Sequence, residues 1–483
     1  MRRAKIVCTL GPAVESIEKI TELIDAGMNM ARLNLSHGGH EEHQKRLNNV
    51  REVAKKANKA VAILVDLQGP KIRLGRFKNG PHDLSRGDKF TITTEDIEGT
   101  KDRVSTTYKG LPADCKVGDK IMIDDGKVTV EVSEVNGNDV VTKVIHPGAV
   151  SNNKGLNLPG VAVSVPAMSE KDVADLRWGL KAGADFIALS FVRNASDVKD
   201  VHKIMDEVGI RVPVIAKIEK PQAVINLQEI VDAFDGIMVA RGDLGVELPI
   251  EDVPMVQKRC ITMARESAKP VIVATQMLDS MISNSQPTRA EATDCANAVL
   301  DGADALMLSG ETSVGEFPIE SVKIMARIIE RTEEIALDQI PPLKHSPATK
   351  GGAITKAATE VGLTVGAKFL VAFTQSGDSA RRMSRLRSPI PMLALTPDVK
   401  TSRVLALSWG VESIVIPPAS HTDEMVKQID SKLIESKRAN IGDFILIVAG
   451  SPPGIPGSTN AMRVHRVGDA VAPGIVARGL DGL

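Results

Sequence analysis

Short apolar runs alternate with longer segments of helical periodicity along most of the chain. This alternation is typical of βα units that build a parallel sheet. Eight apolar runs fit buried strands, at 4–10, 30–36, 61–67, 185–191, 213–219, 236–242, 270–276 and 305–311. Eight strands with helices between them predict an α/β fold of the (β/α)8 TIM-barrel type.

Two of the intervening segments carry clear helix starts. Thr288-x-x-Glu291 is a capping box, and apolar residues recur at helical spacing after it, at Ala292, Cys295, Ala296 and Val299. Pro318 opens a second stripe of this kind, formed by Val322, Met325, Ala326 and Ile329. We therefore expect helices after the seventh and eighth strands.

The alternation is interrupted between the third and fourth strands. From 69 to 166 the apolar residues follow period two, as in KVTVEVSEV (127–135), and Asn136-Gly137 then gives a strong hairpin signal. A small β-rich domain inserted into a barrel loop explains this change.

A second α/β series follows the barrel. PPLKHSP (341–347) has the composition of a linker, and further strand candidates lie at 369–373, 391–395, 411–416 and 444–449. We expect a barrel formed by 1–68 and 167–340, an insertion at 69–166, and a C-terminal α/β domain of three layers at 341–483.

Composition narrows the classes of partner. Sixty basic and sixty-one acidic residues leave a formal charge of −1, which gives no general attraction to nucleic acid or to anionic membranes. The four cysteines lie far apart without metal-ligand spacing, which argues against structural zinc and against a disulfide framework. The first apolar run ends at Gly11-Pro12, too early for a signal peptide or a membrane span. We expect a cytoplasmic protein.

Charged and polar side chains gather at the predicted strand ends, where barrels of this type form their active sites. Arg32, Asn34 and Ser36 are spaced two apart, so strand geometry places them on one face. The same spacing recurs in the pairs Lys217 with Glu219 and Arg241 with Asp243, and further strands end at Asp66, Thr275 and Glu311. Singly, such residues are commonly turn or helix caps. Together, so many charges at one mouth favour a charged ligand and a metal ion.

The residue types indicate phosphoryl chemistry. Glu219 and Asp243 supply hard oxygen ligands that suit Mg²⁺ or Mn²⁺. Arg32, Arg73 and Lys217 suit a phosphoryl group, which guanidinium groups grip and an ammonium neutralises. The sequence contains no P-loop, and no G-x-G-x-x-G stands between a strand and a helix.

Several stretches resemble the pyruvate kinase family: MARLNLSHG, DLQGPKIR, KIEKPQAV, GIMVARGDLGVELP, ATQMLDSM, PTRAEATDCANAVLDGADALMLSGET and TNAMRV. The resemblance extends from residue 4 to the last strand. It implies a barrel, an inserted small β-barrel lid, a C-terminal regulatory domain and a homotetramer. It also implies the reaction in which phosphoenolpyruvate and ADP give pyruvate and ATP in glycolysis.

The resemblance assigns roles to individual positions. Arg32 and Arg73 should hold the transferring phosphate, Lys217 should stabilise it, and Glu219 with Asp243 should bind the divalent cation. Thr275 should stand near the enolate methylene. The substrate should also be bound at Ala240, Arg241, Gly242, Ser309 and Glu311, where backbone amides of the first three hold its carboxylate. The nucleotide should contact Asn34, His37, Arg73, Asp125 and Lys171, although Ser169-x-x-Asp172 beside Lys171 is also an ordinary helix cap.

The chain departs from many relatives at the potassium site, which is formed by positions matching Asn34, Ser36, Asp66 and Leu67. Those relatives carry Thr at position 67 and Glu at position 71, whereas this chain has Leu67 and Lys71. An ammonium at position 71 can supply the charge of a monovalent cation. We therefore expect activity without K⁺. The alternative is that Lys71 is only a surface charge at the lid hinge.

An effector site is expected in the C-terminal domain. TQSGDSARRMSRLRS (374–388) opens a helix with hydroxyl groups followed by arginines, which fits either a phosphate site or a capped helix with a solvated basic face. The family's effector loop matches Thr374, Gln375, Ser376, Gly377, Asp378 and Ser379. The late loop 450–459 lacks a Trp or Arg that would clamp a sugar bisphosphate, so a sugar monophosphate or AMP is the expected effector.

Two other functions remain open at this point. One is a Mg²⁺-dependent lyase or aldolase acting on pyruvate or phosphoenolpyruvate, whose barrel can also offer a carboxylate pair. The other is a catalytically silent regulatory protein, because a fold does not establish an activity. ADP-dependent formation of pyruvate would separate these possibilities.

Overall fold

The chain forms a closed barrel of eight parallel strands, as expected from the apolar runs. The computed structural model describes residues 2–124, 126–161, 163–344, 347–451, 454–455 and 457–471. The barrel strands are, in chain order, Lys5–Thr9, Met30–Asn34, Ala62–Asp66, Phe186–Leu189, Val214–Ile218, Gly236–Ala240, Val271–Ala274 and Ala305–Leu308. Each strand pairs with its neighbours in chain order, and the eighth closes on the first. The TIM-barrel prediction is confirmed.

Alternation along each strand separates two cores. Val7, Met30 and Leu64 lie with other inward-facing residues in the barrel interior, whereas Ile6, Leu33 and Val65 pack outward beneath the helices. Burial on both faces explains why the strands read as nearly continuous apolar runs.

The layer around the barrel consists of helices and short helical turns. Its α-helices are Ile17–Ala26, His40–Lys56, Glu170–Ala182, Asp197–Val208, Pro221–Ile225, Leu227–Ala233, Arg241–Glu247, Val253–Glu266, Arg289–Asp301, Gly310–Ser313 and Pro318–Ala336. Short 3-10 turns lie at Pro12–Val14, Ile250–Asp252, Asp279–Ile282 and Leu337–Gln339. The predicted capping box of Thr288 and Glu291 is present, and none of the described helices is long and apolar enough to cross a membrane.

Each barrel strand is shorter than its apolar run, and two of the runs continue into a helix. The run at 236–242 ends as a strand at Ala240, and Arg241 begins a helix; the run at 305–311 ends at Leu308 and a helical turn follows. The i, i+2 strand geometry inferred for Arg241 and Asp243 was therefore wrong. Asp243 lies instead in the first turn of a helix, where the helix dipole favours a carboxylate.

The insertion is β-rich, as expected. Its strands are His82–Leu84, Lys89–Thr93, Arg103–Ser105, Lys120–Ile123, Val128–Asn136, Asp139–His146, Gly148–Val150 and Leu156–Asn157, with one short helix at Leu111–Asp114. Six strands form one sheet, and two form another. The predicted hairpin at Asn136-Gly137 joins two antiparallel strands of the larger sheet. Isolated bridges from Arg73 to Gly155 and from Leu74 to Thr106 place the entering segment beside both edges of that sheet.

The C-terminal domain has one five-stranded sheet between two helical layers. The strands are Leu370–Phe373, Met392–Thr396, Val411–Val415, Phe444–Gly450 and Thr459–Arg466, of which the last is antiparallel to its neighbour. Its helices are Lys350–Thr364, Asp378–Ser384, Val399–Leu405 and Thr422–Glu435. Leu370 and Val371 belong to separate buried clusters, so both faces of the sheet are covered. The predicted domain boundaries stay predictions.

Candidate active site

The carboxyl ends of the barrel strands bring side chains from distant parts of the sequence to one mouth. Arg32, Asp66 and Lys217 follow Met30, Leu64 and Ile215 by two residues, and the latter three point into the barrel. The period of two places the polar side chains on the same inner face. Asn34 pairs with Asp66 across neighbouring strands.

A buried ionic cluster forms at this mouth. Arg32 Nε donates to Asp66 Oδ2 at 2.7 Å, and its NH1 donates to Thr9 Oγ1 at 3.1 Å. Lys217 Nζ lies 3.4 Å from Asp66 Oδ1 and 2.9 Å from Glu219 Oε1. Thus the structure brings together two predicted phosphoryl-binding cations and one predicted metal ligand, with Asp66 between them.

Burial and charge act in opposite directions within the cluster. Burial raises the pKa of Asp66, but Lys217 and Arg32 outweigh it, so that the pKa is lowered. Burial lowers the pKa of Lys217, yet Asp66 and Glu219 raise it above its ordinary value. Burial raises the pKa of Glu219. The charge of Lys217 lowers this pKa, the charge of Asp243 raises it, and the net direction is upward. At neutral pH the ammonium of Lys217 is therefore held charged at the mouth.

Glu219 and Asp243 have free oxygen capacity for a cation. Glu219 Oε2 accepts from the Phe191 amide at 2.7 Å, whereas its buried Oε1 has only the ionic contact with Lys217 and no directed hydrogen bond. The Asp243 carboxylate has no hydrogen bond or ion pair with any described residue. No group of three or more His, Cys, Asp or Glu among the described residues could hold a metal. Two carboxylates that share the ion with water and substrate fit Mg²⁺.

Thr275 and Gly242 meet at the side of the mouth. Gly242 N donates to Thr275 Oγ1 at 2.7 Å, and that hydroxyl donates to Ala274 O at 2.6 Å. Thr275 adopts φ 69°, which is strained for a β-branched residue and common at functional positions. Ala240 ends the adjoining strand. The amide of Gly242 is thus directed at an oxygen acceptor.

Arg241 turns its guanidinium group away from the cluster. Its NH1 lies 2.7 Å from Asp294 Oδ2, and its NH2 donates to Thr275 O at 2.8 Å. The expectation that the Arg241 charge faces the mouth was wrong, because that side chain ties its helix to the neighbouring loop and helix. Its backbone remains beside Ala240 and Gly242.

Glu311 and Ser309 shape the loops around the mouth. Glu311 is buried, and its two oxygens accept from the amides of Leu278 at 3.1 Å and Ser309 at 2.7 Å. Burial raises its pKa, which these amides oppose. Both carboxylate oxygens are therefore engaged by backbone.

The predicted nucleotide residues lie near the loop after the second strand. Lys171 Nζ donates to Leu35 O at 2.7 Å and also contacts Asp175. Asn34 Oδ1 accepts from Ser36 N at 3.2 Å, and His37 is exposed. The capping box of Ser169 and Asp172 is present beside Lys171. Asp125 lies outside the described residues.

Lys71 and Arg73 lie at the base of the insertion, apart from the ionic cluster. Lys71 has no ion pair with any other described residue, and its Cε would lie 3.0 Å from a Cβ built on Gly155. Arg73 NH1 donates to Asn153 O at 3.0 Å. Leu67 is buried, and its carbonyl accepts from Ser190 Oγ at 2.6 Å.

Ser190 completes the cluster, although it is not among the site residues predicted from the sequence. Its hydroxyl accepts from Lys217 Nζ at 2.8 Å. It follows the inward residues Phe186 and Ala188 at spacing two, so the strand-end rule used for Arg32 also applied to it.

The predicted effector residues line a cavity in the C-terminal domain. Thr374, Gln375, Ser376, Asp378 and Ser379 lie around about 100 Å³ of space, together with residues of the late loop. Gly377 adopts φ 81° and donates its amide to Thr374 Oγ1 at 2.8 Å.

The arginines that follow this loop are not all solvated. Arg385 and Arg387 are buried and donate to backbone carbonyls of Glu266 and Gly302, at 2.9 Å and 2.6 Å. The alternative interpretation, a solvated basic face, is wrong for these two residues, because their side chains join the C-terminal domain to the barrel.

The comparisons with known proteins all match the same family. The family model for the pyruvate kinase barrel domain matches residues 1–322, and the model for the pyruvate kinase alpha/beta domain matches residues 352–465. The chain is 57% identical over 468 residues to a pyruvate kinase of Corynebacterium glutamicum, covering 97% of this chain and 98% of that protein. It is 56% identical over 470 residues to a pyruvate kinase of Mycobacterium tuberculosis, covering 97% of this chain and 99% of the other.

A solved structure agrees with these matches. The crystal structure of a pyruvate kinase from Cryptosporidium parvum superposes with a TM-score of 0.90 at 37% identity, covering 96% of each chain. The likeness therefore extends over the barrel, the insertion and the C-terminal domain.

Proposed function

The chain belongs to the pyruvate kinase family, and from this premise we propose how its residues carry out the reaction. The protein is a phosphotransferase that moves the phosphoryl group of phosphoenolpyruvate to ADP, giving pyruvate and ATP in glycolysis. The observation that carries the residue assignments is the Lys217 ammonium, held between Asp66 and Glu219 at the mouth of the barrel.

Lys217, Arg32 and Arg73 neutralise the phosphoryl group. Lys217 faces the mouth with its charge secured by two carboxylates, so it can stabilise negative charge on the group in transfer. Arg32 keeps its remaining N–H groups for phosphate oxygens, because only its Nε and NH1 donate to described residues. Arg73 comes from the base of the inserted domain and completes the clamp when that domain lies over the substrate.

Glu219 and Asp243 hold the divalent cation that the family generally requires. Two observations support this assignment, with Mg²⁺ or Mn²⁺ as the ion. Glu219 Oε1 accepts no directed hydrogen bond, and the Asp243 carboxylate has no hydrogen bond or ion pair with any described residue. When bound, the ion supplies positive charge that offsets the charge on the phosphoryl and carboxylate oxygens.

The substrate carboxylate binds near Ala240, Arg241 and Gly242, through backbone amides. The Gly242 amide donates to the Thr275 hydroxyl, so an acceptor oxygen fits beside this amide. Thr275 then stands near the enolate methylene, and a water relay through its hydroxyl can deliver the proton. Ser309 and Glu311 border the substrate, and the two amide contacts of Glu311 keep this wall in place.

ADP binds toward the loop that follows the second strand. Lys171, Asn34 and His37 lie on that side, and the resemblance adds Arg73 and Asp125 to the nucleotide contacts. A second Mg²⁺ accompanies the nucleotide phosphates.

Lys71 takes the place of the potassium ion. Leu67 and Lys71 stand where many relatives carry Thr and Glu, so Asn34, Ser36 and Asp66 lack the hydroxyl and the carboxylate that accompany them around the ion in those relatives. We expect ATP formation from phosphoenolpyruvate and ADP with Mg²⁺ when tetramethylammonium is the only monovalent cation. Added KCl should change the rate little.

The same assay tests the whole assignment. Activity only with K⁺ would contradict the role of Lys71 and keep the enzyme. The variant Lys71→Glu with Leu67→Thr should gain K⁺ dependence, whereas the exposed Lys78→Glu should not. No ADP-dependent pyruvate formation under either condition, with or without candidate effectors, would refute the kinase.

Regulation and assembly remain proposals. The cavity lined by Thr374, Ser376 and Ser379 supports an effector that carries one phosphate, a sugar monophosphate or AMP. A homotetramer, a cytoplasmic location and the domain boundaries at 69, 166 and 341 rest on the sequence and its resemblance.

A further inference from the structure

Glu247 is a buried carboxylate that the proposed reaction does not use. It ends the helix Arg241–Glu247, one turn after Asp243, and its side chain is 1% exposed. Its Oε1 accepts from Lys220 Nζ at 2.6 Å and from Asn157 Nδ2 at 2.9 Å. Because a buried charge is stable only with partners, these two contacts account for its place in the fold.

Asn157 links Glu247 to the lid base, which we define as residues 71–73 and 153–157. The Leu156 amide donates to Ile72 O at 2.9 Å, and Arg73 forms a bridge with Gly155. Arg73 NH1 also donates to Asn153 O at 3.0 Å. The two segments of the lid base are therefore paired, so anchoring Asn157 also sets the position of Arg73.

Lys220 links Glu247 to Glu219, the predicted metal ligand that comes directly after the fifth barrel strand. It follows Glu219, and its ammonium lies 5.5 Å from the centroid of the Phe191 ring. The Phe191 amide donates to Glu219 Oε2. Gly69, which leads into the lid, packs so close that a Cβ there would lie 2.6 Å from Phe191 Cδ2. Phe191 thus touches the lid entry, Lys220 and Glu219.

We propose that Glu247 is a positioning residue that holds the lid base, and with it Arg73, in register with Glu219 and Asp243. It acts through Asn157 on the lid and through Lys220 on the barrel, and it does not touch substrate. This inference rests on the proposed function, because the value of that register comes from the phosphoryl clamp of Arg73 and the cation site.

A double-mutant cycle in the active enzyme tests the link. Asn157→Ala and Glu247→Ala should each lower kcat/KM for phosphoenolpyruvate by about tenfold or more, the effect of losing a hydrogen bond to a charged group. The double variant should lose no more than Glu247→Ala alone. Glu247→Gln keeps an acceptor for Asn157 and should recover part of the loss. Multiplied losses in the double variant would overturn the proposal.

A second measurement does not depend on activity. Hydrogen exchange of the Leu156 amide, without substrate or metal, should be faster in Asn157→Ala and in Glu247→Ala, and the helix Arg289–Asp301 should be unaffected. Glu251→Gln, an exposed carboxylate just beyond the same helix, is the matched control and should match wild type. Unchanged exchange at Leu156 would overturn the proposal. If wild type forms no ATP, the proposed function fails and this exchange still decides the role of Glu247.

Discussion

Replacing Lys217 with Met removes the cation that lies between the buried carboxylates of Asp66 and Glu219. The Lys217 side chain is 12% exposed, and those of Asp66 and Glu219 are 1% and 0% exposed. Met fills a similar volume without charge. Asp66 keeps Arg32 as a partner, but Glu219 keeps only the Phe191 amide. The loss therefore falls mainly on Glu219.

The magnitude follows from the two ionic contacts. At an effective dielectric constant of about 20, charges 2.9 Å and 3.4 Å apart attract by roughly 6 and 5 kcal/mol. The desolvation of all three groups offsets much of this attraction. The net loss from breaking a buried ionic group in this way is about 3–5 kcal/mol.

The loss should depend on pH. Without Lys217, the pKa of Glu219, already raised by burial, rises further. A carboxyl whose pKa is higher in the folded than in the unfolded protein contributes most to stability at a pH below its unfolded-state pKa. That contribution is lost as pH rises through the folded-state pKa. The variant should thus be closer to wild type near pH 5 than near pH 8.

Urea unfolding at pH 5 and pH 8 measures this difference, with the exposed Lys181→Met as the control. Turnover at pH 8 should fall by about 10²–10³-fold, the range for losing one preorganised electrostatic stabiliser of a transition state. Unchanged turnover would remove Lys217 from the mechanism. An equal stability loss at both pH values would refute the account of Glu219.

Two further changes test local features of the fold. Glu291→Ala removes the carboxylate that accepts from the amides of Thr288 and Ser280, both at 2.7 Å, so the free energy of unfolding should fall by about 1–2 kcal/mol in urea titrations. Glu330→Ala, on the exposed face of another helix, should stay near wild type. An equal effect of both changes would contradict the capping argument. Gly69→Ala places a Cβ 2.6 Å from Phe191 Cδ2 at φ 75°, so it should lower kcat and speed hydrogen exchange at the lid base. The control Gly87→Ala, at φ 92° with open space around it, should change stability without changing kcat. A wild-type rate for Gly69→Ala would refute the close contact.

Local patterns determined most of the architecture. Eight apolar runs became the eight barrel strands, because burial on both faces requires continuous apolar residues. The capping box at Thr288 and the hairpin at Asn136-Gly137 formed as predicted, since both depend on a few neighbouring residues. Spacing two also placed Arg32, Asp66 and Lys217 on one inner face.

Tertiary structure decided which partners those side chains meet. The sequence did not indicate that Arg241 would turn to Asp294, that both oxygens of Glu311 would accept from backbone amides, or that Arg387 would be buried against the barrel. Each contact joins residues far apart in the chain or depends on where a strand becomes a helix. Periodicity encodes which face of an element is buried, but the partner of a buried charge is set by the packing of whole elements.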